Sequence, residues 1–118
     1  MLSLALIRSI LLDITEDPNT SRVVSFNGYE IIAVICPATL DGTTNNITPQ
    51  IDPGNGVFYT PLTNSGGAIT WWENVSASEY LQVPTLVAPL VGARIRLQFT
   101  EDEAADRTFL MVLKALTS

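Results

Sequence analysis

The stretch Ala93-Arg94-Ile95-Arg96-Leu97-Gln98-Phe99-Thr100 decides the fold. Ala93, Ile95, Leu97 and Phe99 alternate with Arg94, Arg96, Gln98 and Thr100. A strict period of two is what a half-buried strand needs, because successive side chains leave an extended backbone on opposite faces. One face belongs to a core and the other meets water or a partner. Downstream, residues 101–106 form an acidic connection and residues 107–116 alternate again, with Phe109, Met111 and Leu113 opposed to Leu110, Val112 and Lys114. Upstream, residues 79–83 form a short strand that stops before Pro84, and residues 68–75 carry the β-formers Ile69, Thr70, Trp71 and Trp72. Residues 57–60 return as the partner of a strand at 46–51 across Asp52-Pro53-Gly54-Asn55-Gly56, a dense run of turn formers.

Further toward the N-terminus, residues 29–36 are almost continuously apolar and β-branched, the pattern of a central strand covered on both faces, and Pro37 ends it by removing a ladder donor. Asn27-Gly28 supplies positive φ for a tight turn after an alternating segment at 21–26, and Asp17-Pro18-Asn19 marks another turn. In residues 1–14 the even positions Leu2, Leu4, Leu6, Ile10, Leu12 and Ile14 share one face, broken only by Arg8, which reads as a strand. A helix is the alternative there, since Leu4, Ile7, Ile10 and Leu11 also share a helical face. Eight or nine short strands, with no helical pattern after residue 14, predict an all-β fold. The expected architecture is a single-domain antiparallel β-sandwich, a jelly roll of about eight strands over residues 1–118, with 1–14 as an N-terminal arm or edge strand.

Composition narrows the function. The 118 residues suffice for one core and not for two ordinary domains, and a 47% hydrophobic content argues against disorder. Six basic against twelve acidic residues give a net charge of −6, which repels phosphate backbones and anionic lipid heads, so neither nucleic acid nor membrane is an expected partner. The apolar residues 1–12 lack a basic leader and a small-residue cleavage site and fall short of the roughly 20 residues of a membrane span. With no signal peptide read there, the sequons at Asn19, Asn46 and Asn74 are set aside. The single cysteine, Cys36, lies in an apolar run and reads as a small buried hydrophobe.

The chain has no histidine, which removes the imidazole-based nucleophile systems and most zinc or iron sites. Gly66-Gly67 is followed by neither the lysine nor the helix of a phosphate loop. Paired acids could in principle hydrolyse a glycoside, yet acids on a small sandwich serve solubility far more often. Asp52, Asn55, Glu101, Asp102, Glu103 and Asp106 offer hard oxygens to calcium, but none fits an EF-hand spacing, and the turn reading of 52–56 is preferred. The expectation is no enzyme, no cofactor and no metal. Trp71 and Trp72 are consecutive, so on a strand only one enters the core, and the other stacks on a sugar, anchors an interface or lies over its own chain. Arg94 and Arg96 form a stripe for pairing with residues 101–106 or with an acidic partner.

Gly92-Ala93-Arg94-Ile95-Arg96-Leu97 looks like the penultimate strand of galactose-binding-like, discoidin-type jelly rolls. Four further segments join it: Gly28-Tyr29-Glu30-Ile31-Ile32-Ala33-Val34-Ile35-Cys36-Pro37-Ala38, then residues 47–52 leading to Phe58-Tyr59, then residues 78–84, then Ala105-Asp106-Arg107-Thr108-Phe109-Leu110-Met111-Val112-Leu113-Lys114. Together they resemble a family of small tailed-bacteriophage virion proteins over roughly residues 20–116. The middle turn, Gln50-Ile51-Asp52-Pro53-Gly54-Asn55-Gly56, departs from that family's pattern. The resemblance implies a capsid decoration (cement) or head-spike protein without catalytic residues. Such a protein is made in the host cytoplasm and carried on the virion, and it binds the major capsid protein as a homo-oligomer, a trimer ahead of a dimer. Interface candidates are Trp71, Trp72, Tyr59, Tyr80, Arg94, Arg96 and the segment 1–12. The alternative function is a carbohydrate-binding module or virion adhesin that takes host surface glycans on an exposed tryptophan.

Overall fold

Alternation at 93–100 places four apolar side chains on one side of a strand, and that side faces a second sheet. A computed structural model describes residues 3–26, 28–41, 45–62, 65–87 and 92–116. In it seven strands follow in chain order: β1 Ser3–Leu12, β2 Val24–Ser25, β3 Tyr29–Ile35, β4 Ile47–Asp52, β5 Tyr80–Val87, β6 Arg94–Phe99 and β7 Arg107–Leu116. They form two antiparallel sheets, a four-stranded one in the order β1-β7-β3-β5 and a three-stranded one in the order β2-β6-β4. The fold is an all-β sandwich.

The core lies between the sheets, where each contributes its inward period. From the smaller sheet come Phe26, Ile47, Ala93, Ile95, Leu97 and Phe99; from the larger come Ile10, Leu12, Ile31, Val34, Cys36, Val83, Phe109, Met111 and Leu113. β6 and β7 are interior strands of their sheets, and the rings of Phe99 and Phe109 meet with centroids 5.1 Å apart. Among the described side chains of the even-numbered face, Ile10 and Leu12 are buried and Leu6 packs against the core, while Arg8 reaches solvent; positions 2 and 4 lie outside the side chains described. β1 lies at the edge of its sheet, paired along its whole length with β7.

Several expectations need correction. Among the described residues the count is seven strands rather than eight or nine, because residues 57–60 and 68–75 contribute only isolated bridges, Ile51 to Tyr59, Leu62 to Ala68 and Ile47 to Trp72. Segment 21–26 narrows to a two-residue strand, since Ser21 turns its backbone N–H and its hydroxyl toward Leu97. β5 does not stop before Pro84 but continues to Val87. β5 is an edge strand whose pairing with β3 passes from Gln82 to Val87 across an irregularity, so Pro84 has no ladder partner whose bond it could break.

The strand at 29–36 is covered on one face only by a sheet. A bulge between Ile31 and Ala33 shifts its phase, so that Ile31, Val34 and Cys36 face the core. Ala33 and Ile35 lie on the opposite face, Ala33 buried and Ile35 half-buried.

Buried polar groups at the sandwich ends are all satisfied among the described residues. The Asn45 side-chain oxygen accepts from the N–H groups of Thr100 and Glu101. The buried Glu103 carboxylate accepts from Arg107 Nε at 2.8 Å and from the Asp41 N–H, and Arg107 Nη2 reaches Asp41 at 3.0 Å. These bonds tie the acidic connection to the loop after β3. Leu97→Ala, at the centre of the packed faces, is expected to lower unfolding free energy by about 2–5 kcal/mol in urea denaturation. Ile7→Ala, on the outer face of β1, is expected to change it by less than about 0.5 kcal/mol.

Candidate interaction surface

The strand register brings the sequence candidates into two separate places. On the outer face of the three-stranded sheet, β4 and β6 run antiparallel with Asp52 opposite Arg94 and Gln50 opposite Arg96. Directly opposed residues share a face, so each arginine meets a partner already in place. Arg94 Nε and Nη2 donate to Asp52 Oδ2 at 3.0 and 2.7 Å. Arg96 Nε donates to Gln50 Oε1 at 2.6 Å, and its guanidinium lies 4.3 Å from the centroid of the Phe58 ring. Gln50 continues the ladder by donating to Gln98 at 3.1 Å.

This corrects the expected pairing of Arg94 and Arg96 with residues 101–106. Those residues lie past the C-terminal end of β6, about 20 Å of strand from Arg94. Among them Glu103 pairs with Arg107, and Asp106 accepts from the Ile14 N–H. Phe58, which joins the arginines into one cluster, was not singled out as a site residue. Its only sequence signal was an aromatic directly after the 52–56 turn.

Asp52 holds that turn as well. Its Oδ1 accepts from the N–H groups of Gly54 and Gly56 at 2.8 and 3.0 Å, and Gly56 adopts a φ of +83°. The carboxylate oxygens are thus engaged by two backbone donors and a guanidinium, in line with the turn reading of this segment rather than a calcium loop. The Gly54 N–H and the Arg94 side chain together hold the Asp52 carboxyl below the usual aspartate range. Tyr59 leaves the same turn half exposed, with its hydroxyl accepting from Asn55 at 3.0 Å.

Neither tryptophan is a free platform. Trp71 is buried, and Trp72 packs against the core with its ring 5.3 Å from that of Trp71. Consecutive residues on a regular strand would diverge, but residues 71–72 form only a bridge to Ile47, and the irregular backbone turns both rings inward. Trp72 Nε1 donates to the backbone oxygen of Gln82 at 2.7 Å. Of the reading's alternatives, the indole lying over its own chain describes it.

The second place is the outer face of the four-stranded sheet. Its register aligns Ile7, Val112, Ala33 and Gln82 in one cross-strand row and Ser9, Leu110, Ile35 and Tyr80 in the next. Most of these side chains are apolar, although a sheet with one face in water ordinarily alternates apolar-in with polar-out. Ile7 is 56% exposed and Tyr80 61%. The polar ladder on one face of the sandwich satisfies itself, while the opposite face exposes Ile7 and Tyr80 beside half-buried Leu110 and Ile35, with Val112 and Ala33 buried in the same rows.

Asp52 carries a pH dependence. Because its folded pKa lies below the unfolded value of about 3.9, its stabilisation is present in full above that value and is lost as pH falls through the folded pKa. Asp52→Asn is expected to flatten the acid limb of stability against pH below about 4, read by circular dichroism. Burial, with the Glu79 charge nearby, raises the Cys36 thiol to about 11, so it stays protonated at neutral pH. Cys36 is expected to resist iodoacetamide at pH 7.5 until the protein is unfolded, read by mass spectrometry.

Comparison with protein-family models, with curated proteins and with solved structures finds no match to this chain.

Proposed function

We propose that the protein is a capsid decoration protein, a viral structural protein that binds and stabilises a major capsid protein shell as a small homo-oligomer. It acts on the virion surface after synthesis in the host cytoplasm. The observation that carries this reading is the outer face of the four-stranded sheet, where exposed Ile7 and Tyr80 lie on adjacent rows with half-buried Leu110 and Ile35. Contiguous apolar surface on a soluble domain marks a contact site, and an extended sheet face suits a broad protein surface better than a small ligand.

The strand order supports the jelly-roll form of the sandwich. β1, β7, β3 and β5 lie in one sheet and β2, β6 and β4 in the other, with the bridged segment 57–72 beside β4 in the place of an eighth strand. Jelly rolls recur in viral capsid and lectin domains. The motifs shared with small tailed-phage virion proteins point to the first of these. The lectin alternative loses its platform, because Trp72 spends its polar edge on Gln82 and its ring on the core. It keeps only Tyr59 and Tyr80 as exposed rings.

Co-sedimentation with expanded empty shells of the phage that encodes the chain tests the reading. The wild type is expected to pellet with shells. Tyr80→Ala combined with Leu110→Ser is expected to weaken binding roughly 30-fold or more, the size of an interface hot spot, without loss of the folded circular dichroism signal. Failure of the wild type to pellet, or pelleting unaffected by the double substitution, would remove the proposal. A glycan array answered by binding that Tyr59→Ala abolishes would favour the adhesin instead.

A further inference from the structure

The sandwich has four sheet edges, and three of them are closed by identifiable devices. On β4 the outward groups of Ile47 and Ile51 bond to the backbone of Trp71, Trp72 and Tyr59, and Pro49 between them has no N–H to offer. On β5 Gln82 points its carbonyl outward into the indole N–H of Trp72, and Pro84 falls in the irregular stretch between the paired residues Gln82 and Val87. β2 is only two residues long. Short edges, prolines and side-chain caps are the means by which sheets avoid pairing with strangers.

β1 is different. It runs for ten residues without proline, and its only charge is Arg8. Backbone groups of a strand alternate in direction, and the carbonyl of Leu11 points away from β7, since it accepts from the Arg22 N–H at 2.7 Å. By the same alternation Ser3, Ala5, Ile7 and Ser9 also point their N–H and C=O groups away from β7. Among the described residues no backbone donor or acceptor meets them. An edge left open from Ser3 to Ser9 beside three closed ones is built to receive a strand.

The geometry points to a second copy of this chain as the occupant, with β1 pairing antiparallel to its counterpart across a twofold axis. This inference rests on the homo-oligomer part of the function proposed above and is separable from the shell. Three constraints limit the register, and among the registers they allow the one that engages all four outward positions Ser3, Ala5, Ile7 and Ser9 is preferred. Outward groups occur only at odd positions, so odd must pair with odd, which also keeps both inner faces on the same side of the joined sheet. Leu11 already has its donor, so the pairing must end before it. Arg8 must not face its own copy, because like charges directly opposed repel.

A twofold beside Leu6 meets all three. It sets Ser3 against Ser9 and Ala5 against Ile7 in both directions, about eight backbone hydrogen bonds, and sets Arg8 against Leu4. The result is one continuous eight-stranded sheet that doubles the apolar outer face. An antiparallel edge contact of this kind is self-complementary and closes at two subunits, whereas a ring of three requires a head-to-tail contact.

Sedimentation equilibrium of the purified chain at about 100 µM, with no shell present, tests the pairing. The expected mass is twice 12.8 kDa. Ser9→Pro removes only an outward N–H and should leave the β7 ladder intact, and Ile7→Lys alters an exposed side chain. Each is expected to give a folded monomer. Leu6 would face its own copy at a non-hydrogen-bonded position, where Cα atoms lie about 4.5 Å apart, so Leu6→Cys is expected to form an intermolecular disulfide on mild oxidation. A monomeric or trimeric wild type, a dimer that survives Ser9→Pro, or a dimer that Leu6→Cys does not trap would each overturn the inference. A monomer that still pellets with shells would overturn it while leaving the shell reading standing.

Discussion

The face-to-face burial of β6 against β7 is the contact on which the rest of the molecule depends. Each is an interior strand of its sheet, and each turns a complete apolar row inward, Ile95, Leu97 and Phe99 against Phe109, Met111 and Leu113. Removal of these side chains from water is the main favourable term, roughly 1.5–3 kcal/mol for each fully buried large side chain. The two strands are consecutive in the chain, so the acidic connection between them must cross from one sheet to the other. Its backbone and carboxylates are held at that crossing by Asn45, Asp41 and Arg107.

The two outer faces of the sandwich have opposite characters. The smaller sheet carries Arg94, Arg96, Asp52, Gln50 and Gln98 in mutual hydrogen bonds, with Phe58 beneath the guanidinium groups. A surface whose donors and acceptors already satisfy one another gains little by exchanging them for a partner's. The larger sheet carries exposed Ile7 and Tyr80 beside half-buried Leu110 and Ile35, whose further gain comes from leaving water. Contact therefore favours the larger sheet, and the proposed shell surface and the proposed β1 pairing are its face and its edge.

Trp72 shows how function was misread from residue type. An aromatic pair in sequence suggests a ring left over for a ligand, but the same indole closes an edge of the four-stranded sheet at Gln82 while its ring joins the core. Nothing in the local sequence places Gln82 near Trp72; that proximity exists because β5 and the segment before it meet at the rim. The arginine stripe was misassigned for a similar reason. Its outward direction follows from period two, but its partner depends on the β4 to β6 register, which is set by inward residues 47, 49 and 51 and not by the nearest acidic run.

While residues 1–14 left strand and helix both open, the sequence by itself determined the all-β class, the inward rows of β6 and β7 and the buried state of Cys36. Each of these is a local consequence of alternation or hydrophobic burial. Only the tertiary structure decided which strands are neighbours, where the β3 bulge shifts the phase, and that segments 57–60 and 68–75 serve as bridges rather than full strands. It also decided that Asp52 holds Arg94 and that β1 is the edge without a cap. Those outcomes depend on register between segments tens of residues apart. A shift of one residue in pairing exchanges the two faces of a strand, so the chemistry of each face follows from the assembled sheet.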